Sequence, residues 1–191
     1  MASIVQICNF GLGQIGQDTI NALTEESPSA RACSLYYEQA RDAVLSEIWW
    51  GFATGQQTLA LTSTNPNEWD YAYTLPSDCL FPRYIPPVVR NGTKIPFEWA
   101  GDEIWTDQDT AVLIYTKRVS DPALFHPLFV DALALKIATL VCMPLSVERS
   151  LRSDVVQLYR GAIAAARQAD TNASDRYDYS NSNAQSIEAR A

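Results

Sequence analysis

Three glycines offer the first chemistry in this chain. Residues 4–16 read Ile-Val-Gln-Ile-Cys-Asn-Phe-Gly-Leu-Gly-Gln-Ile-Gly, so Gly11, Gly13 and Gly16 complete a G-x-G-x-x-G. That spacing cradles a dinucleotide pyrophosphate when a strand runs into it, a helix starts at it, and an acidic residue comes about 20 residues later. Val5-Gln6-Ile7-Cys8-Asn9 reads as a short strand, but Ile4, Cys8, Leu12, Ile15 and Leu23 also lie close to one helical stripe, with Thr19 in the gap. Glu38 stands at the ribose distance, yet in the middle of a long helical pattern, and the elements C-terminal to it cannot be assembled into a parallel sheet. The glycines are therefore expected to loosen an N-terminal helix or to let it pack closely on a neighbour. On that reading Gly13→Val disturbs folding or subunit packing. A nucleotide-binding oxidoreductase is the alternative, resting on Gly11, Gly13 and Gly16 alone.

Other chemistry is sparser. The one histidine, His126, abuts Pro127 and reads as the residue before a helix rather than a base. The four cysteines, Cys8, Cys33, Cys79 and Cys142, share no C-x-x-C spacing and read as buried free thiols. Asp70, Asp78, Glu98, Asp102 and Glu103 fall in one region, but nothing in their spacing pairs two of them for acid–base work. No catalytic, cofactor-binding or metal-ligating residue is assigned, no cofactor is implied, and the chain is expected not to be an enzyme.

The elements that would position these residues are set by periodicity. Ser27 caps and Pro28 opens a helix on which Cys33, Tyr37, Ala40, Val44 and Ile48 recur at helical spacing. Strands are expected at Thr58–Thr62, Trp69–Leu75 and Ala111–Thr116, with a hairpin turning at Gly101-Asp102 between Phe97 and Thr106. The prolines from Pro76 to Pro96 mark the stretch between as loop. Pro127–Cys142 is apolar nearly all round, the pattern of a central buried helix. After Met143-Pro144, Ser146 is expected to cap a last helix with its apolar stripe on Leu151, Val155, Leu158, Ala162, Ala165 and Ala169. Its other face carries Arg149, Arg152, Asp154, Arg160 and Arg167. The fold class is α+β: a helical bundle from the N- and C-terminal helices with an inserted antiparallel β region. The boundaries are 1–51, 52–119 and 120–170, then a polar tail, 171–191, disordered or ordered by a partner.

Composition narrows the partners. The net charge of −8 argues against a surface that grips nucleic acid, because phosphate binding is driven by Lys and Arg. The longest apolar stretch, 128–145, contains Asp131 and Lys136 and is too short to span a bilayer. The start of the chain lacks the charged and apolar segments of a secretory signal.

Motifs spread along the chain carry a resemblance. They begin with Ile7-Cys8-Asn9, Leu12 and Ile15-Gly16, continue through Ile20, Leu23, Glu26, Ser27 and Ala30, then Cys33, Tyr37, Arg41 and Leu45, and reach Trp50-Gly51-Phe52-Ala53. The most distinctive stretch is Tyr71-Ala-Tyr-Thr-Leu-Pro-Ser-Asp-Cys-Leu80, with Gly101-Asp-Glu-Ile-Trp-Thr-Asp107 after it. Tyr115, Val119-Ser-Asp-Pro122, Phe125, Pro127, Phe129, Ala132-Leu133 and Met143-Pro-Leu145 complete the pattern. In their order and spacing these resemble the tail tubular protein A, or head-to-tail adaptor, family of short-tailed bacteriophages. That family commonly has Ala or Leu and Ser where this chain has Gly11 and Gly13, so the glycine motif looks like an accident on a family helix. The resemblance implies a helical bundle interrupted by a β region. It also implies a structural virion protein of the tail connector, assembled in the host cytoplasm. Its partners would be further copies of itself in a dodecameric ring, the portal above, the tail nozzle below, and packaged DNA passing without sequence-specific contact during ejection. No membrane partner is expected. Trp99, Trp105, Arg149, Arg152, Arg160, Tyr177 and Tyr179 are the interface candidates, and residues beyond Thr171 are expected to order against the portal or a neighbouring subunit.

Overall fold

The computed structural model describes residues 2–64, 66–88 and 92–188, with side chains in its last helix as far as 169. The chain forms two compact units, one of Met1–Val44 with Asp121–Ala191 and one of Leu45–Ser120.

In the first unit, the N-terminal segment resolves as helix α1, Ile4–Gln14. A capping box starts it: Ser3 Oγ accepts from the Gln6 amide at 3.2 Å, and the Gln6 side chain accepts from the Ser3 amide at 2.9 Å. Gly16, at φ 66°, lies just past its end in the left-handed region that glycine tolerates. The loop after α1 is tied back by Asn9, whose side-chain amide bonds both the N–H and the carbonyl of Ile20, at 2.8 and 2.9 Å. Helix α2, Pro28–Glu47, starts as its residues predict, with Ser27 Oγ accepting from the Ala30 amide at 3.1 Å.

Helix α3, Pro127–Val141, enters at His126, whose Nδ1 accepts from the Leu128 amide at 3.3 Å. Its residues Phe129, Leu133, Ile137 and Val141 are fully buried, and α1 and the last helix both pack on it. That last helix, α4, runs Arg149–Glu188. Two expectations need correction here. Ser146 does not cap α4; it sits at φ 54° inside the turn that ends α3, where its amide donates to the Met143 carbonyl. The buried stripe of α4 is Val155, Tyr159, Ile163 and Ala166, while Leu158 is about half exposed. The helix is rotated about its axis so that Tyr159 and Ile163, with far more area to remove from water than Ala162 and Ala165, face the core. The expected tail, 171–191, falls beyond the described side chains; helical backbone continues to Glu188.

The second unit is antiparallel β. Its strands are β1 Thr54–Thr58, β2 Ala60–Thr64, β3 Tyr71–Thr74, β4 Cys79–Tyr84, β5 Glu98–Ala100, β6 Glu103–Thr106 and β7 Val112–Lys117. They form two sheets, in the orders β1-β7-β4 and β2-β3-β6-β5. The single strand expected over Thr58–Thr62 is in fact the junction of β1 and β2. Leu59 is buried between them and its amide donates to the Ala111 carbonyl, so the chain changes sheets there. Strand β4 lies in the stretch expected to be loop. Pro82 sits within it, tolerated because β4 is a sheet edge where a missing N–H costs no ladder bond. The core of this unit is Leu59, Tyr73, Ile85, Ile104, Leu113 and Tyr115 with their neighbours. Gly55, paired with Tyr115 across β1 and β7, leaves room for the phenol ring; a Cβ there would lie 2.6 Å from it.

Candidate interaction surfaces

The glycine motif lies within and just after α1, with no strand running into it. Of the three glycines, Gly11 makes the close approach. A Cβ at Gly11 would sit 2.7 Å from the Ala134 carbonyl oxygen and 3.4 Å from the Ala138 amide on α3. Gly13 is exposed, and a Cβ there meets nothing within 4 Å. The expectation that valine at Gly13 disturbs folding is thereby corrected: the steric demand sits at Gly11. Gly13 lines an open groove of about 690 Å³ between α1, α3 and α4, together with Phe10, Asp131, Leu135, Leu158 and Ala162. Phe10 and Leu158 are each about half exposed.

The arginines expected at an interface stand together. Arg149, Arg152 and Arg160 are exposed on α4 and line a shallow cleft of about 270 Å³ with Ser153, Val156 and Gln157. Helical geometry places 149, 152, 156 and 160 within one stripe. Among the described residues no ion pair holds any of these three; Arg152 Nη1 reaches the Met143 sulfur at 2.7 Å.

The two tryptophan candidates are on opposite faces of one sheet. Trp99 pairs with buried Ile104 and shares its face; it stacks edge-on against Phe81, with ring centroids 5.9 Å apart, and remains 46% exposed. Trp105 belongs to the outer face. There its indole N–H donates to Glu103 at 2.9 Å, while that of Trp69 donates to Glu98 at 3.1 Å. Trp69 is not among the interface candidates, and neither pairing is assigned from sequence. Glu103 and Trp105 share a face by strand alternation, a signal that period-two counting carries; Trp69 and Glu98 are 29 residues apart and no local pattern joins them. Tyr177 and Tyr179 lie on the backbone of α4, beyond the described side chains.

The carboxylates of the β unit are dispersed among these structural roles. Asp78 accepts from the Tyr115 hydroxyl at 2.9 Å, and Asp107 from the Asp70 amide at 3.1 Å. Burial pushes the Tyr115 phenol up to about 12, with the bond to Asp78 adding to it. Cys8, Cys33 and Cys142 are buried free thiols and Cys79 is half-buried. The Cys8 thiol is held protonated by its hydrogen bond with Cys33 and by burial, and burial pushes Cys79 up to about 11. At Cys8 and Cys79 these environments disfavour the reactive thiolate, whereas the hydrogen bond with Cys8 draws the Cys33 thiol down. Among the described residues no cluster of His, Cys, Asp and Glu could hold a metal ion, and no helix is long and apolar enough to cross a membrane.

Arg83 organises the first sheet. Its Nε donates to Thr116 at 2.7 Å, one terminal nitrogen donates to the Ile48 carbonyl at 3.1 Å and to Ser46 at 3.5 Å, and its guanidinium lies 4.7 Å from the centre of the Phe81 ring. No family model matches this chain, and no curated protein matches it.

Proposed function

We propose that this chain is the structural subunit of a head-to-tail connector: an adaptor that assembles as a ring between the portal and the tail nozzle of a short-tailed bacteriophage and surrounds the path of ejected DNA. The observation that carries the reading is architectural. The two ends of the chain build one helical unit and the middle builds a separate antiparallel β unit, the layout that the resemblance of the sequence motifs implies. The physics supports such a role. With a net charge of −8 the chain has carboxylates to spare, and a ring lumen lined mostly by them would repel phosphate and let a duplex slide. Surface is concentrated in features suited to contact: the arginine row on α4, the exposed Phe81–Trp99 pair and the Phe10–Leu158 groove.

Co-expression with the cognate portal tests the reading. A connector subunit co-purifies with portal rings in stoichiometric amount. A chain that never associates with portal or nozzle, but binds labelled NAD or ATP saturably, belongs to the nucleotide-binding alternative instead.

A further inference from the structure

We infer that copies of this chain join through two different surfaces: the arginine row of α4 on one copy and the outer face of the β2-β3-β6-β5 sheet on the next. The inference rests on the ring-forming reading above and names the surfaces that meet in it.

The outer sheet face is built to receive guanidinium groups. Strand register sets Ala72, Trp105 and Glu98 in one cross-strand row and Thr74, Glu103 and Ala100 in the next. Trp105 therefore shares the face with Glu98 and Glu103, and Trp69, in the turn before β3, reaches it through Glu98; each indole N–H fixes one carboxylate, Trp69 to Glu98 and Trp105 to Glu103. A single N–H leaves most of a carboxylate's acceptor capacity free. Oriented carboxylates beside aromatic π faces give an arginine both charge-assisted hydrogen bonds and a cation–π contact. Glu98 is exposed and Glu103 and both indoles are half-buried, so the face is open but held in place.

The complementary surface is on the same chain. Acidic residues outnumber basic ones, 22 to 14, so two copies repel on average and a specific contact must set a local basic feature against an acidic one. The row of Arg149, Arg152 and Arg160 is such a feature, free of ion pairs among the described residues, and half-buried Val156 lies between its charges. The spacings agree. A helix rise sets Arg152 and Arg160 about 12 Å apart along α4. Glu98 and Glu103, two residues and one strand apart, are about 8 Å from each other. Arginine side chains are long enough to converge across that difference.

Because the two surfaces differ, the contact is heterologous. An open assembly retains one unfilled row at one end and one unfilled face at the other, so association continues until the rotation per copy closes a ring.

Sedimentation equilibrium at low salt compares the parent chain with Arg152→Gln/Arg160→Gln and with Glu98→Gln/Glu103→Gln. Glutamine still accepts from an indole N–H, so the second variant removes charge without removing the structural bond; circular dichroism confirms that both fold. Each variant alone should associate about tenfold more weakly than the parent. Mixed in equal amounts, they should form heterodimers that grow no further, since only one intact row and one intact face meet. Variants that associate as the parent does, a mixture that gives no heterodimer, or a parent without self-association each overturn the inference. Portal co-purification separates the two readings: a chain that still joins portal rings keeps the connector role with different contact surfaces, and one that does not loses both.

Discussion

Substituting Gly11 tests whether α1 and α3 touch through bare backbone. The new Cβ of Gly11→Ala would lie 2.7 Å from the Ala134 carbonyl oxygen, whereas non-bonded carbon contacts settle near 3.5 Å or beyond. The obstacle is helix backbone, so α1 must back away from α3 by roughly 0.5–1 Å and loosen the packing of fully buried Ile7, Cys8 and Leu12. Overpacking of this kind costs about 1–3 kcal/mol, and a rigid backbone partner places Gly11→Ala in the upper part of that range. Alanine returns up to about 1 kcal/mol of helix propensity. The expected net loss is about 1–2 kcal/mol. A chain of this size shifts by about 2–4 °C per kcal/mol, which gives a fall in Tm of about 2–8 °C. Gly13→Ala, two residues away and meeting nothing within 4 Å, is the internal control. It gains propensity without a clash, so its Tm should rise by up to about 4 °C. Thermal melts followed by far-UV circular dichroism read both. A Tm for Gly11→Ala equal to or above that of Gly13→Ala would refute the close approach.

Three further outcomes come from the cores of the two units. Tyr115 holds its proton up to about 12, above the ordinary phenol value of 10.0. Both states are neutral below the lower value, so stability is intact there. It falls by about 1.4 kcal/mol per pH unit as pH rises towards the folded value. Tyr115→Phe should flatten the urea-midpoint loss of the β unit over that window, and an unchanged slope would contradict the assignment. Among the described residues the buried Tyr37 hydroxyl has no hydrogen-bond partner, so Tyr37→Phe should be neutral or stabilising by up to about 1 kcal/mol in chemical denaturation; a loss of that size would mean the hydroxyl is satisfied. Arg83→Met keeps a side chain over Phe81 but deprives Thr116, Ile48 and Ser46 of their donor. It should cost about 2–3 kcal/mol in a urea titration, with Arg83→Lys recovering little because a lone ammonium lacks the planar fork.

What the sequence made legible, and what it hid, has physical causes. Ser27-Pro28 and His126-Pro127 marked two helix starts because capping is a local bond between near neighbours. The hairpin at Gly101 was equally local, its glycine taking φ 65°. Strand β4 was hidden because Pro82 argues against a strand everywhere except at a sheet edge, and edge status is a tertiary fact. The phase of α4 was misjudged because alanines at 162 and 165 fit a stripe as well as Tyr159 and Ile163 do, and only burial tells them apart. The helical stripe through the glycine motif is legible in the sequence, but which glycine bears the packing depends on Ala134, more than a hundred residues away. On the outer sheet face, Trp105 and its neighbour Glu103 share a side by strand alternation, which the sequence carries, whereas the bond of Trp69 to Glu98 joins residues 29 apart and exists only in the folded chain.

The proposed connector role requires this chain to form a ring on a portal. Electron microscopy of the purified protein mixed with its cognate portal tests it most directly. A connector subunit gives a second ring stacked coaxially beneath the portal, with an open lumen wide enough for duplex DNA. Portal rings that remain bare, with this chain dispersed as separate particles at saturating concentration, would contradict it.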